Sequence, residues 1–179
     1  MRAVVVYESM FGNTHRVADA IGRGLATGGE ALVLPVDDAE GDLVFAADLL
    51  IVGGPTHVRG LSRPRTRDAA LDMAGKPGNR LALDTHAHGA GLREWLGSLG
   101  HAGGRAAAFD TRLAYPLSGR ASKGIARELG RRGYSMVAPP ESFVVTKGNA
   151  LVAGEEERAV AWGRRLATVS GGVAPPVRR

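Results

Sequence analysis

Short, unbroken apolar runs alternate along this chain with segments in which apolar residues recur every three to four positions. A short run without polar residues is typical of a parallel strand that is buried on both faces. A spacing of three to four is typical of a helix with one buried face. Strands are therefore predicted at residues 3–6, 31–34, 49–52 and 106–109, and helices at residues 15–25, 92–99, about 122–132 and about 155–169.

The second half of the chain carries a divided strand signal. Residues 134–137 and 143–145 both favour a strand, and two prolines, Pro139 and Pro140, separate them. Because proline cannot donate to a central ladder, we expect one fifth strand that a loop interrupts. Shorter helical segments are predicted at 43–47 and 62–73, and the glycine-rich end of 80–91 predicts an irregular insertion.

A polar loop joins the first predicted strand to the first predicted helix. A strand that enters a helix through small and hydroxylated residues leaves N–H groups free beside the positive end of the helix dipole, and this arrangement binds phosphate. We expect Ser9 and Thr14 to donate their hydroxyls, the amides of residues 10–14 to contribute, and Asn13 to cap the helix. The loop consists of Glu8, Ser9, Met10, Phe11, Gly12, Asn13 and Thr14.

The same loop excludes two common kinds of nucleotide site. It lacks Gly-x-x-x-x-Gly-Lys-Ser/Thr, the motif that places a lysine beside the β- and γ-phosphates of a triphosphate. It also lacks Gly-x-Gly-x-x-Gly, so a dinucleotide pyrophosphate is not the expected ligand. A terminal phosphate monoester fits the remaining donors, and the alternative is an ordinary strand-to-helix turn with a good cap.

A second loop, residues 53–60, follows the strongly apolar run 49–52 and begins with Gly53, Gly54 and Pro55. In an open α/β sheet, ligands bind beyond the carboxyl ends of the strands, at the point where the strand order reverses. We therefore expect this loop to face the loop at residues 8–14. The alternative is a Gly-Pro turn that contacts no ligand.

Both loops resemble those of the flavodoxin family. The second contains the Gly-x-Pro-Thr that flavodoxin-like proteins carry at this place. The resemblance implies a three-layer α/β fold over residues 1–170, with helices on both faces of a five-stranded parallel sheet in the order 2-1-3-4-5. The glycine- and proline-containing residues 171–179 are expected to form a flexible tail. It also implies that FMN is the cofactor and that residues 9–14 hold its phosphate. The first loop matches the family signature at Tyr7, Ser9, Gly12, Thr14, Ala18 and Ile21.

The loops expected around the flavin ring depart from the usual residues of the family. The position after Pro-Thr often holds a tryptophan or tyrosine that stacks on the ring, and here it is His57. A protonated His57, together with Arg59, would raise the flavin reduction potential, whereas the alternative is an exposed loop residue. The resemblance also implies a third loop at 110–115, with Thr111 and Arg112 as donors and Tyr115 as the stacking candidate. The site predicted from these two loops comprises Pro55, Thr56, His57, Val58, Arg59, Gly60, Asp110, Thr111, Arg112 and Tyr115.

The net charge of +5 and the isoelectric point of about 10.2 raise the question of an anionic partner. Nucleic-acid binding is not expected, because the basic residues are scattered and aromatic residues make up only 5% of the chain. Arg63, Arg65 and Arg67 form a local basic segment. It is either a receptor for an anionic substrate, a nicotinamide nucleotide phosphate or an acidic partner, or a solvated helix start.

Several other chemistries are excluded or disfavoured. The chain has no cysteine, so it has no disulfide, no thiolate-held iron–sulfur cluster and no thiol nucleophile, and redox chemistry requires a bound cofactor. His86 and His88 are two positions apart, so they could share one face of a strand and bind a metal ion together. No third ligand follows with suitable spacing. No run of about 18 apolar residues exists, so we expect a cytoplasmic protein without a membrane span.

These observations lead to one functional expectation and one alternative. The first is an FMN-binding redox protein that passes electrons to a partner protein or reduces a small acceptor such as a quinone. The basic character of the chain favours the reductase, because flavodoxin carriers dock through acidic residues. The alternative is a non-enzymatic member of the fold that has lost tight FMN binding and acts as a binding or interaction module. The sequence alone names no catalytic acid or base, and leaves the oligomeric state open.

Overall fold

The computed structural model describes residues 1–79, 81–101, 103–115 and 117–171. Strands and helices alternate along the described chain as the apolar pattern predicts. The strands are β1 (Arg2–Tyr7), β2 (Glu30–Pro35), β3 (Leu49–Pro55), β4 (Gly104–Leu113), β5 (Tyr134–Met136) and β6 (Glu141–Val145). The helices are α1 (Asn13–Leu25), α2 (Gly41–Phe45), α3 (Pro64–Ala74), α4 (Leu92–Ser98), α5 (Ala121–Arg131) and α6 (Glu155–Gly171).

The sheet is parallel and has the order β2-β1-β3-β4-β5, which confirms the predicted order. β6 also pairs with β4 in parallel. β5 pairs with β4 at residues 104–106 and β6 pairs with it at residues 109–113, so the two short strands lie one after the other along the same neighbour. This confirms the prediction of a fifth strand that a proline-containing loop interrupts.

Hydrophobic cores lie on both faces of the sheet. On one face, alternate residues of β1 and β3 pack against α1 and α6. On the other face, the intervening residues pack against α2, α4 and α5. Because consecutive strand residues point to opposite faces, a strand covered on both sides must be apolar throughout. Residues 3–6 and 49–52 are accordingly almost fully buried, which explains why the apolar runs predicted the strands well.

Helices α1 and α6 approach one another closely because both carry glycine at their contact. A Cβ atom placed on Gly163 would lie 2.3 Å from the carbonyl oxygen of Ile21, and one on Gly24 would lie 2.2 Å from the carbonyl oxygen of Val160. Atoms at those distances would clash, so only glycine permits this separation. The contact holds α1, and with it the loop that precedes α1, firmly against the sheet.

Two local predictions differ from the structure. β4 continues through Leu113, so residues 110–113 belong to a strand rather than to a loop. Asn13 is the first residue of α1 rather than its cap. The capping position is Gly12, which has no side chain to accept a hydrogen bond from the helix. Residues 81–91 contain turns and no strand among those described. The boundary at residue 170 stays a prediction, and the tail from residue 172 onward lies outside the described residues.

Among the helices that the structure describes, none is long and apolar enough to cross a membrane.

Candidate functional site

A cavity of about 540 Å³ opens at the carboxyl ends of β1, β3 and β4. The loop before α1 forms one wall, and the loop after β3 forms the opposite wall. The two therefore face each other, as the topology predicts. We call this the switch-point cavity. Its described walls consist of residues 10, 11, 13, 14, 55–58, 65, 66, 69, 70, 73, 81, 111–113, 145–147 and 149.

The loop before α1 presents free amides at the helix N-terminus. Gly12 has a left-handed backbone with φ of 83°, a conformation that glycine adopts without strain. The hydroxyl oxygen of Ser9 accepts the N–H of Gly12 at 3.1 Å, which leaves its own proton available for donation. Within the described residues, no carbonyl accepts from the amides of Asn13 and Thr14. These amides lie at the positive end of a helix of 13 residues.

The threonine of this loop is joined to β4 by its side chain. The hydroxyl oxygens of Thr14 and Thr111 lie 2.7 Å apart, and both residues are buried. One hydroxyl donates to the other, so a donation by Thr111 leaves the proton of Thr14 free. The predicted donor Thr111 thus lies within the switch-point cavity, where it supports Thr14.

The loop after β6, which was not among the predicted site loops, completes the end of the switch-point cavity near α1. The side-chain amide of Asn13 donates to the backbone oxygen and to Oδ1 of Asn149, at 3.0 and 3.1 Å. Lys147 and Thr146 belong to the same wall. The dipeptide Gly148-Asn149 marks a turn in the sequence, but only the pairing of β6 with β4 brings that turn to the cavity.

The loop after β3 is a tight hairpin. His57 and Gly60 exchange two backbone hydrogen bonds, and the two residues between them, Val58 and Arg59, both have positive φ, 41° and 75°. Val58 is 86% exposed. A β-branched residue with positive φ is strained. The predicted residues Pro55, Thr56, His57 and Val58 line the switch-point cavity, whereas Arg59 and Gly60 face a different cavity.

Burial lowers the pKa of His57 from its ordinary value of 6.5, and this effect outweighs the opposing effect of Glu8. The imidazole is therefore neutral at pH 7. Burial therefore disfavours the protonated form of His57, the form that would raise the flavin reduction potential.

The residues of the predicted third loop do not all lie at the switch-point cavity. Arg112 lines the switch-point cavity, and its Nη1 donates to Ser118 Oγ at 2.8 Å. Asp110 is fully buried, and its Oδ2 accepts the N–H of Ser122 at 2.8 Å, so it fixes the start of α5. Tyr115 is 59% exposed and lies outside the walls of this cavity.

Helix α3, which was predicted as a short helical segment with three arginines near its start, forms another wall of the switch-point cavity. The structure separates its three arginines. Arg65 lines the switch-point cavity, Arg67 pairs with Glu94 at 3.0 Å, and Arg63 precedes the helix. Only one of the three is therefore placed to act on a ligand in this cavity. Thr66 also belongs to the α3 wall, and alanine and methionine residues at positions 69, 70 and 73 provide its apolar part.

The charge of the switch-point cavity is positive. Its described walls contain Arg65, Arg112 and Lys147 and no carboxylate. The carboxylate of Asp84 lies near the loop before α1, with its Oδ2 3.9 Å from the place that a Cβ of Gly12 would occupy. This carboxylate accepts from His15 Nδ1 at 3.2 Å and, through Oδ1, from the N–H of His86 at 3.0 Å.

The ring of Tyr7 stacks on that of His15, with centroids 4.6 Å apart. Burial raises the pKa of Tyr7, and the charges of Asp84, Asp19 and Asp38 raise it further, so the phenol is neutral. These residues form a packed polar support beneath the loop. No group of three or more possible metal ligands occurs among the described histidines and acids.

No family model matches the sequence, and no curated protein matches it. Solved structures do match. A flavodoxin from the domain Archaea superposes with a TM-score of 0.67 at 21% identity, covering 95% of this chain and 99% of its own. Flavodoxin 1 from Bacillus cereus gives 0.63 at 20% identity, with 97% and 100% covered. A flavodoxin-type WrbA-like protein from Agrobacterium tumefaciens gives 0.54 at 22% identity, with 94% and 96% covered. The chain therefore has the flavodoxin fold.

Proposed function

We propose that this chain is an FMN-binding redox protein, with FMN in the switch-point cavity. The observation that carries the proposal is the loop before α1. Asn13 and Thr14, whose amides have no carbonyl acceptor among the described residues, line a cavity of about 540 Å³, and the hydroxyl groups of Ser9 and Thr14 belong to the same loop. The similar flavodoxin structures support the proposal, because they share the fold over nearly the whole length of both chains.

The phosphate of FMN fits the donors of this loop. The amides of Asn13 and Thr14 need an acceptor, and the hydroxyls of Ser9 and Thr14 have protons to donate. Such donors to an anion are stronger than donors to a neutral acceptor. Lys147, which lies in the wall of the cavity, adds a positive charge that favours a dianion.

The remaining walls suit a flat ring system with polar edges. Phe11, Pro55 and Met73 provide apolar surface, and the neutral ring of His57 provides a second aromatic face. FMN would supply the electron chemistry, and these residues would orient it and exclude water. Arg65 and Arg112, without a carboxylate in the described walls, would favour the reduced cofactor and raise its potential.

Within this proposal we favour reduction of a small acceptor, such as a quinone, over electron transfer to a protein. A positive field next to the cofactor attracts an anionic or electron-rich small molecule and steers it to the site. An electron carrier of this fold would dock its redox partner through the same face. Reduction of a small acceptor and electron transfer to a protein would therefore use one site, and only an activity assay distinguishes them.

The test is a titration of the purified chain with FMN and with riboflavin, followed by flavin fluorescence and visible absorption. We expect FMN to bind with a dissociation constant below about 1 μM, and riboflavin, which lacks the phosphate, to bind at least about 30-fold more weakly. Equal affinity for the two flavins would remove the loop at residues 9–14 from the proposal. The loaded protein is then assayed with NADPH or dithionite as reductant and a water-soluble quinone as acceptor.

A second function is a flavodoxin-fold binding module without FMN. Two observations favour it: the carboxylate of Asp84 lies beside the α1 loop, and no tryptophan or tyrosine occurs in the described walls of the switch-point cavity. A protein that purifies colourless and gives no spectral change with FMN would support this function.

A further inference from the structure

A second cavity, of about 870 Å³, lies beside the switch-point cavity, between the hairpin after β3, the end of β4 and the first turns of α5. We call it the basic cavity. Its described walls contain six basic side chains and one carboxylate. The basic side chains are Arg59, Arg93, Arg112, Arg120, Lys123 and Arg127.

The arginines of the basic cavity are held in place by neutral oxygens. Arg93 donates to the carbonyls of residues 61 and 62, at 3.2 and 3.0 Å. Arg120 donates to Ser142 Oγ at 2.9 Å and to the carbonyl of Pro140 at 2.8 Å. Arg112 donates to Ser118 Oγ. Neutral acceptors orient a guanidinium group without cancelling its charge, so the field of the cavity stays positive.

Several arginines elsewhere in the chain pair with carboxylates, as Arg16 and Arg23 do with Glu156. In the basic cavity, by contrast, the described residues provide no carboxylate partner for Arg59, Lys123 or Arg127. The one acid in the wall, Glu128, accepts from arginines 131 and 132 at 2.6 and 2.9 Å. These hydrogen bonds lower the pKa of Glu128, and they direct its charge to cations outside the cavity.

The walls are fixed by contacts that do not depend on a ligand. Gly119 has φ of 74° and pairs with Arg59, and a Cβ at Gly119 would lie 2.2 Å from the carbonyl oxygen of Arg59. The start of α5 is held by Thr56 Oγ1, which accepts the N–H of Ala121 at 2.9 Å. Glu8 Oε2 accepts from the hydroxyl of Ser62 and the N–H of Leu92, which fixes the wall that carries Arg93.

We propose that the basic cavity binds a small organic molecule with two or more phosphate charges, such as a nucleoside diphosphate. Guanidinium groups match the oxygens of phosphate in pairs, and several unneutralised cations at close range require more than one negative charge in the ligand. The volume is that of a small-molecule site rather than of a flat protein interface. Leu61, Tyr115 and Val144 give the same walls an apolar part that suits the organic portion of the ligand.

This inference goes beyond the proposed function and does not depend on FMN. The two cavities share Arg112, so a ligand in the basic cavity would lie next to any ligand in the switch-point cavity. A phosphorylated electron donor or acceptor would therefore be held beside its reaction site.

The experiment measures the binding of ADP and of inorganic pyrophosphate by isothermal titration calorimetry at low ionic strength, with and without saturating FMN. We expect one equivalent of ADP to bind in both conditions. The double variant Lys123→Gln/Arg127→Gln should weaken ADP by about tenfold or more, because both cations face the ligand. The matched control Arg164→Gln/Arg165→Gln removes the same charge from the exposed face of α6 and should leave the affinity within about twofold.

Four results would overturn the proposal. They are no binding of either probe, an equal loss in both double variants, a loss of ADP binding in Ser9→Ala/Thr14→Val, and tighter binding of a hexaglutamate peptide than of ADP. A loss of ADP binding in Ser9→Ala/Thr14→Val would place the phosphate in the loop before α1. Tighter binding of the hexaglutamate peptide would indicate an acidic protein partner. ADP binding in a protein that ignores FMN would sustain this site while the proposed function fails, so the two failures are distinguishable.

Discussion

The hydroxyl groups of the loop before α1 give the sharpest test of the proposed cofactor. We consider the double variant Ser9→Ala/Thr14→Val. Valine keeps the shape of threonine and removes only its hydroxyl. Both residues are buried and belong to the loop before α1, and Thr14 lines the switch-point cavity, so the changes should act on a phosphate that this loop binds.

The magnitude follows from the number of hydrogen bonds lost. A hydroxyl that donates to a phosphate contributes about 1–2 kcal/mol, since the acceptor is charged. Two such bonds give about 2–4 kcal/mol, which corresponds to a roughly 30- to 1,000-fold weaker FMN affinity. Riboflavin has no phosphate, so its affinity should change by less than about threefold.

The assay is a fluorescence titration of FMN and riboflavin on the wild type, the single variants and the double variant. Ser9→Ala also removes the acceptor of the Gly12 N–H, so chemical denaturation must show that each variant is folded. Thr168→Val is the matched control, because its hydroxyl bonds only the carbonyl of Arg164 on the exposed face of α6. If FMN and riboflavin weaken by the same factor, the hydroxyls do not contact phosphate and the reasoning is wrong.

Three further predictions concern stability. Gly163→Ala should destabilise the fold by about 1–3 kcal/mol, because the new Cβ would lie 2.3 Å from a carbonyl oxygen of α1. Gly130→Ala, which has open space around it in α5, should stabilise the fold by about 0.4–1 kcal/mol. Urea titration compares the free energies of unfolding of the two variants, and equal effects would contradict the close contact between α1 and α6. Because the pKa of His57 is lowered in the folded chain, the unfolded chain binds a proton more readily at this residue. The free energy of unfolding of the wild type should therefore fall relative to that of His57→Gln as the pH drops below 6.5. Parallel plots of unfolding free energy against pH for the two proteins would refute this. Arg158→Met should lose about 1–2 kcal/mol, allowing for its partial exposure, because Arg158 pairs with Glu141 and Glu155 and lies 4.4 Å from the ring centroid of Phe143. Guanidinium denaturation with an unchanged midpoint would show that this pairing adds no stability.

The sequence determined the architecture because the signals for it are local. A strand buried on both faces must be apolar at every position, so residues 3–6 and 49–52 could be recognised without any knowledge of their neighbours. The loop at residues 9–14 was equally readable, since a glycine and two hydroxyl residues between a strand and a helix determine what the backbone offers. Predictions were weaker at element ends. β4 continues through Leu113 because its last residues pair with β6, a partner about 30 residues away that no local pattern reveals.

Tertiary structure alone decided which side chains share a cavity. Asn149 and Lys147 reach the switch-point cavity because β6 lies beside β4, and Arg65 is separated from its two basic neighbours by the turn of α3. The charge of His57 also depended on burial, which its sequence context does not specify. In the basic cavity, basic residues from four separate segments converge. Their charges remain unneutralised because the acceptors of Arg93, Arg112 and Arg120 are carbonyls and hydroxyls, and the described residues pair no carboxylate with the other three. The sequence specifies the number of charges, but the fold determines the distances between them, and electrostatic effects depend on those distances.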